Sequence, residues 1–222
     1  MATINKWAAG SAYGPVLSQT DLYLLQTDLQ LNPILAGTNG DFHLLFNLAT
    51  GQTGGFNPDS RDRDLAFTAK DEPATLPRVS QLIIITEISP WCTVVKNERG
   101  VNLVDVCTQI WKDYSDHHVT DAEFASLPLR LQDQVKRTSA LRGAGGSWQA
   151  AYYTPAAPPA TFKRFGKISD GFLWISVIDD VLVQSDWLRE RTFFDRLQRN
   201  DSYATQRLGY KAPNIFVMEL TA

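Results

Sequence analysis

Residues 89–114, SPWCTVVKNERGVNLVDVCTQIWKDY, carry a strand, a tight turn and an amphipathic helix in one run. Trp91 to Lys96 reads as a strand, and NERG, with Gly100 at its end, reads as the turn that follows. Asn102 can cap the free backbone N–H groups of a helix, and Asp105 falls in its first turn, where a negative charge is favoured. Leu103, Val106, Cys107, Ile110 and Tyr114 then recur on one face at helical spacing, with Val104 and Trp111 flanking it. A cap, a turn and an apolar face are structural devices. The unit reads as the frame around a site, with Trp91 and Trp111 placed where a frame could line a cavity.

Outward from this unit the elements mix without a regular β-α-β-α rhythm. Pro90 ends a preceding strand over Ser80 to Ile88, whose β-branched run predicts burial on both faces. DFHLLFNLAT, residues 41–50, reads as a strand, and GQTGGFNPDSRDRD after it as a Gly-, Asn- and Asp-rich loop. Downstream, Thr120 and Glu123 have capping-box spacing, and Pro128 opens a further helix through Leu141. Residues 142–162 read as a long loop, GFLWISVIDD as a strand, SDWLRERTFFDRLQRN as a helix capped by Ser185 or Asp186, and NIFVMEL as a final strand. The expected class is α+β, with a mixed or mostly antiparallel sheet of about four to six strands packed by three to five helices. Residues 1–20 are expected to form a flexible arm and residues 21–222 a single domain.

Composition narrows the function classes. A chain of 222 residues with 44% hydrophobic and 20% charged residues has material for a real core. A net charge of -3 gives no basic field for nucleic acid. The N-terminus has no signal-peptide pattern, and no stretch approaches the ~20 apolar residues of a membrane span. Two cysteines, Cys92 and Cys107, are too few for a disulfide scaffold and read as buried thiols of a reducing, cytoplasmic setting.

Five spaced pieces carry a resemblance: LNPIL, EPATLPRVSQLII, SPW before a strand, GVNLVDVCTQIW and GFLWISV, in this order. The set resembles a domain family of unknown function that is expanded in mushroom-forming fungi, and it spans roughly residues 29–180. Leu76 within ATLP and the long Gly- and Pro-rich insertion depart from the family pattern. The resemblance implies a fungal, intracellular α+β domain and supplies no catalytic residue to carry over.

Few residues point to chemistry. Asp113 and His117 are four apart on a helix, a workable metal-ligand spacing. No third ligand is visible, and a histidine at a helix C-terminus is favoured by the dipole alone. No metal site or cofactor is assigned. Asp59, Asp62 and Asp64 alternate with Arg61 and Arg63, the pattern of a self-neutralising solvated loop. GAGGS lacks the Lys-Ser/Thr ending of a phosphate loop, and there is no Gly-x-Ser-x-Gly elbow. Arg130, Lys136, Arg137 and Arg142 share one helix and could hold an anion or simply form its outer face.

Two function classes follow. In the first the protein is a non-catalytic interaction or small-ligand-binding domain. Trp148, Tyr152, Tyr153 and Phe162, in the long loop around PAAPPAT, would contact an apolar ligand or a protein partner, with Trp91 and Trp111 behind them. A homodimer fits this class. In the second it is a cofactor-independent enzyme working by acid–base chemistry on a small apolar molecule. His43 would be the base, because its pKa lies near neutrality, with Asp64 or Asp170 as its acid partner and Tyr152 or Tyr153 as donor.

Overall fold

The structure, a computed structural model, describes residues 6–8, 14–57, 59, 64–143 and 182–222. In chain order the helices are α1 (Gln19–Leu25), α2 (Leu103–Asp116), α3 (Asp121–Ser126), α4 (Leu129–Gly143), α5 (Gln184–Leu188) and α6 (Asp201–Leu208). The strands are β1 (Gln30–Leu31), β2 (His43–Phe46), β3 (Thr53–Phe56), β4 (Thr75–Leu76), β5 (Gln81–Thr86), β6 (Cys92–Lys96), β7 (Phe193–Gln198) and β8 (Ile215–Thr221). The fold is α+β. It divides into two compact units, Met1–His117 with Glu190–Ala222, and His118–Arg189.

The larger unit is built on a four-stranded sheet of order β6-β5-β8-β7. β5 runs parallel to β8, while the β5–β6 and β7–β8 pairs are antiparallel, so the sheet is mixed. Its apolar runs are buried as the sequence predicts, with Leu82 to Thr86 all inaccessible. On one face Ile83, Ile85, Ile215 and Val217 form a cluster with Ala204 of α6, against which Tyr203 and Leu208 pack. Cross-strand partners share a face. Leu82 and Ile84 therefore lie with Val95 and Thr93 on the opposite face, where all four are buried. Cys92 opposes Ile85 on the α6 side, at the strand's start, and is exposed. Only Cys107 is a buried thiol, which corrects the expectation for Cys92. Both thiols are free.

α2 keeps the face read from the sequence: Leu103, Val106, Cys107, Ile110 and Tyr114 are its buried residues. Asn102 accepts from the Asp105 N–H at 2.8 Å, and Asp105 accepts from the Asn102 N–H at 3.1 Å, a reciprocal cap. The helix packs against β6, the strand that precedes it by one turn.

Three elements differ from expectation. Thr53–Phe56 is a strand, pairing β2 with His43 opposite Phe56, although Gly54 and Gly55 read as loop. Gly55 lies under the Phe42 ring, where a Cβ would collide, so glycine serves close approach here. Residues 193–198 are β7, not the continuation of a helix; only Gln184–Leu188 is helical. A short helix, α6, then occupies the stretch after Asn200. The N-terminal stretch is also tied down where described. Trp7 is buried, the Leu17 N–H donates to the Arg78 carbonyl at 2.9 Å, and the Ser80 N–H donates to the Leu17 carbonyl at 2.9 Å.

In the smaller unit, Thr120 caps α3 through a capping box with Glu123, as its spacing predicts. Arg142 near the end of α4 donates from Nε and Nη2 to the two carboxylate oxygens of Asp186, each at 2.9 Å. Asp186 is almost fully buried, and it also accepts from the Val183 N–H at 3.0 Å. Arg142 thus serves an internal ion pair. Lys136 lies over the Phe124 ring at 5.4 Å.

Candidate functional site

The larger unit holds a cleft of about 440 Å³. One wall is α1, the other the segment 210–213 that leads into β8. α1 exists because Ser18 and Asp21 cap it reciprocally, and it stops where Gln26 takes a left-handed conformation, φ +46°. Gly209 at φ +81° ends α6 and turns the chain into the second wall. The walls are fastened at the floor. The side-chain amide of buried Asn214 donates to Gln19 at 2.7 Å and to the Gln81 carbonyl at 3.0 Å.

Two aromatic rings stand on the walls with much of their surface in solvent, Tyr23 at 76% and Tyr210 at 49% exposure. Leu24 and Leu25, which follow Tyr23 in α1, are 70% and 62% exposed. Leu22 on the same helix is buried and forms part of the lining.

Charge enters at one end through Arg199. Its Nε donates to Asp201 at 2.9 Å and its Nη1 to Asp28 at 3.0 Å. The hydrogen bond with Asp201, and secondarily that with Asp28, raises the guanidinium pKa above its ordinary value, so it stays cationic. The same bond from Arg199 holds the Asp201 carboxyl below the usual range, with Lys211 adding to the effect. Arg199 also borders a second cleft of about 390 Å³, whose lining includes Leu29, Leu31, Leu197 and Phe216. The two concavities share Arg199 in their linings.

The residues singled out by sequence lie elsewhere. His43 is half-buried and stacks on Phe56, ring centroids 5.3 Å apart. Leu65 pairs with Gly55 antiparallel, so continuing that register sets Asp64 opposite Phe56, on the far side from His43. Asp64 is exposed. Asp170, Trp148, Tyr152, Tyr153 and Phe162 lie outside the described residues.

Trp91 directly precedes β6, and Trp111 lies on α2. Trp91 meets the buried Tyr114 edge-on, centroids 6.3 Å apart at 83°. Tyr114 shares a 2.7 Å hydrogen bond with Ser89, and burial pushes its pKa up to about 12. The Trp111 indole lies over Gly51, where φ is +71° and an added Cβ would stand 2.7 Å from the ring. At the helix end, His117 Nδ1 meets the Asp113 carbonyl at 3.0 Å, a capping contact. No group of three His, Cys, Asp or Glu that could hold a metal occurs among the described residues.

Sequence reasoning missed the cleft for a physical reason. Its walls come from residues 19–28 and 199–213, brought together by β5–β8 pairing, the Gln19–Asn214 contact and the Asp28–Arg199 ion pair. The local signals were the Ser18–Asp21 cap and three successive large apolar residues, Tyr23, Leu24 and Leu25, on a helix too short to bury them all.

No helix among the described residues is long and apolar enough to cross a membrane. No curated protein and no solved structure matches the chain. The sequence model of one family matches residues 44–206, most of the chain, and includes β5, β6, the capped α2 helix and β7. By that match this protein belongs to the family of unknown function DUF6699.

Proposed function

We propose that this protein is a non-catalytic binding domain and that the cleft between α1 and residues 210–213 receives a small, partly apolar ligand. The observation that carries this is the cleft itself: about 440 Å³, within the range of small-molecule sites, with two solvent-facing tyrosines and one buttressed arginine. The cleft sets the apolar surface of Leu22 and Pro213 beside polar side chains, and Asp201 holds the Arg199 guanidinium in place, which suits orienting a ligand. In the acid–base alternative His43 would work with Asp64 or with Asp170, the latter outside the described residues, and no described contact joins His43 to a carboxylate. Trp148, Tyr152, Tyr153 and Phe162 belong to the proposal as contacts for a protein partner. So does the fungal, intracellular setting that the motif resemblance implies, with which two free thiols agree.

The test is a ligand-observed NMR screen of aromatic and aliphatic fragments on the full chain, repeated on Tyr23→Ala and Tyr210→Ala. Both tyrosines are exposed, so the variants should keep the fold. Fragments that bind the wild type and lose binding in both variants support the cleft. Fragments that bind all three proteins equally place the site elsewhere and defeat the proposal.

A further inference from the structure

The geometry points to the chemical class of that ligand: a small amphipathic monocarboxylate, whose carboxylate takes the place of Asp28 on Arg199. This rests on the cleft being a ligand site. Asp201 grips the guanidinium through Nε at 2.9 Å and Nη2 at 3.4 Å, which fixes its plane from behind. The remaining Nη1 is turned to Asp28 at 3.0 Å.

Asp28 is an unusual partner to find there. Its side chain is 91% exposed and it sits on the connection after α1. It makes no other hydrogen bond among the described residues. An ion pair this exposed is weak, because solvent screens it and the side chain must be ordered to make it. A second carboxylate, held by contacts of its own with the cleft walls, therefore displaces it at small cost.

The sign of the ligand follows from what lines the cleft. Two cations, Arg199 and Lys211, and a single anion, Asp28, face it. With Asp28 swung into solvent, both cations face the ligand, and Asp201 remains behind Arg199 to hold it in place. A cationic ligand would instead have to share Asp28 with Arg199 and sit beside Lys211. Tyr23, Tyr210 and Leu22 supply the apolar walls for the rest of the molecule. Asp28 thus acts as a built-in stand-in for the ligand's carboxylate.

The experiment compares benzoate, 4-phenylbutyrate and octanoate with their neutral amides by NMR titration of the full chain. Wild type, Asp28→Asn, Arg199→Gln and Tyr210→Ala are titrated in parallel. At least one acid is expected to bind wild type roughly fivefold or more tightly than its amide, and more tightly still in Asp28→Asn. Arg199→Gln should erase the difference between acid and amide, the acid losing more affinity than the amide. Equal binding of acid and amide by the wild type overturns the carboxylate assignment and leaves the cleft as a neutral-ligand site. Weaker binding of the acid by Asp28→Asn overturns the displacement of Asp28. Binding of no probe, or binding unaltered in Tyr210→Ala, removes the cleft site and this inference with it.

Discussion

Single side chains settle how the larger unit is pinned, and Asn32 is the clearest. Fully inaccessible, it accepts from the Ile34 N–H at 2.9 Å and donates to Glu72 and to the Pro73 carbonyl, both at 3.1 Å. Asn32→Ala removes three hydrogen bonds made by a fully buried side chain and should cost about 2–4 kcal/mol in urea denaturation. A cost near zero would mean that the turn after β1 is held by other contacts. The cysteines divide as sharply. Burial pushes the Cys107 thiol up to about 12, whereas Cys92 is exposed at the start of β6. Native protein should therefore react with a thiol reagent at one cysteine, Cys92, and at the second only after unfolding. Sequence reasoning put both inside because unpaired cysteines are usually buried, a tendency of the residue type that does not register Cys92's place at the exposed start of a strand.

Elements show where local pattern suffices and where it misleads. α2 was legible in full, since its cap and its buried face are both set within fourteen residues. β7 was not. Its buried residues Phe194 and Leu197 are three apart, which imitates a helix. A bulge causes this: Phe194 pairs with Leu220, Arg196 with Glu219 and Leu197 with Met218, so Asp195 is the extra residue that breaks the two-residue period. α6 escaped notice because Ala204 is its only fully buried residue. In the smaller unit, the Arg142–Asp186 pair joins α4 to α5 through a nearly inaccessible carboxylate. Arg142→Ala strands that charge and should destabilise the pair of helices by about 3 kcal/mol. Faster amide exchange in α4 and α5 would register it, and unchanged exchange would show that Asp186 finds other partners.

At the scale of the molecule, the class was legible and the site was not. Fold class follows from the types of element, which short stretches encode, while the cleft needs residues about 170 apart in sequence to meet. Stability should also carry a signature of the buried acids. Cys107 and Tyr114 are each pushed up to about 12 by burial. Their contribution is complete below the unfolded values, near pH 9 and 10, and is lost as pH rises toward 12. Stability should fall with pH at about 1.4 kcal/mol per unit for each of the two protons, and Cys107→Ala should flatten the curve between pH 9 and 10. The central claim is that the chain binds a ligand between α1 and residues 210–213, with Arg199 at the polar end. The most direct measurement is amide and arginine Nε–H shift mapping during titration with the tightest fragment. Perturbations confined to residues 19–28, Arg199 and 210–213 are what the cleft predicts. Perturbations centred on His43, or spread over the surface without saturation, would contradict it.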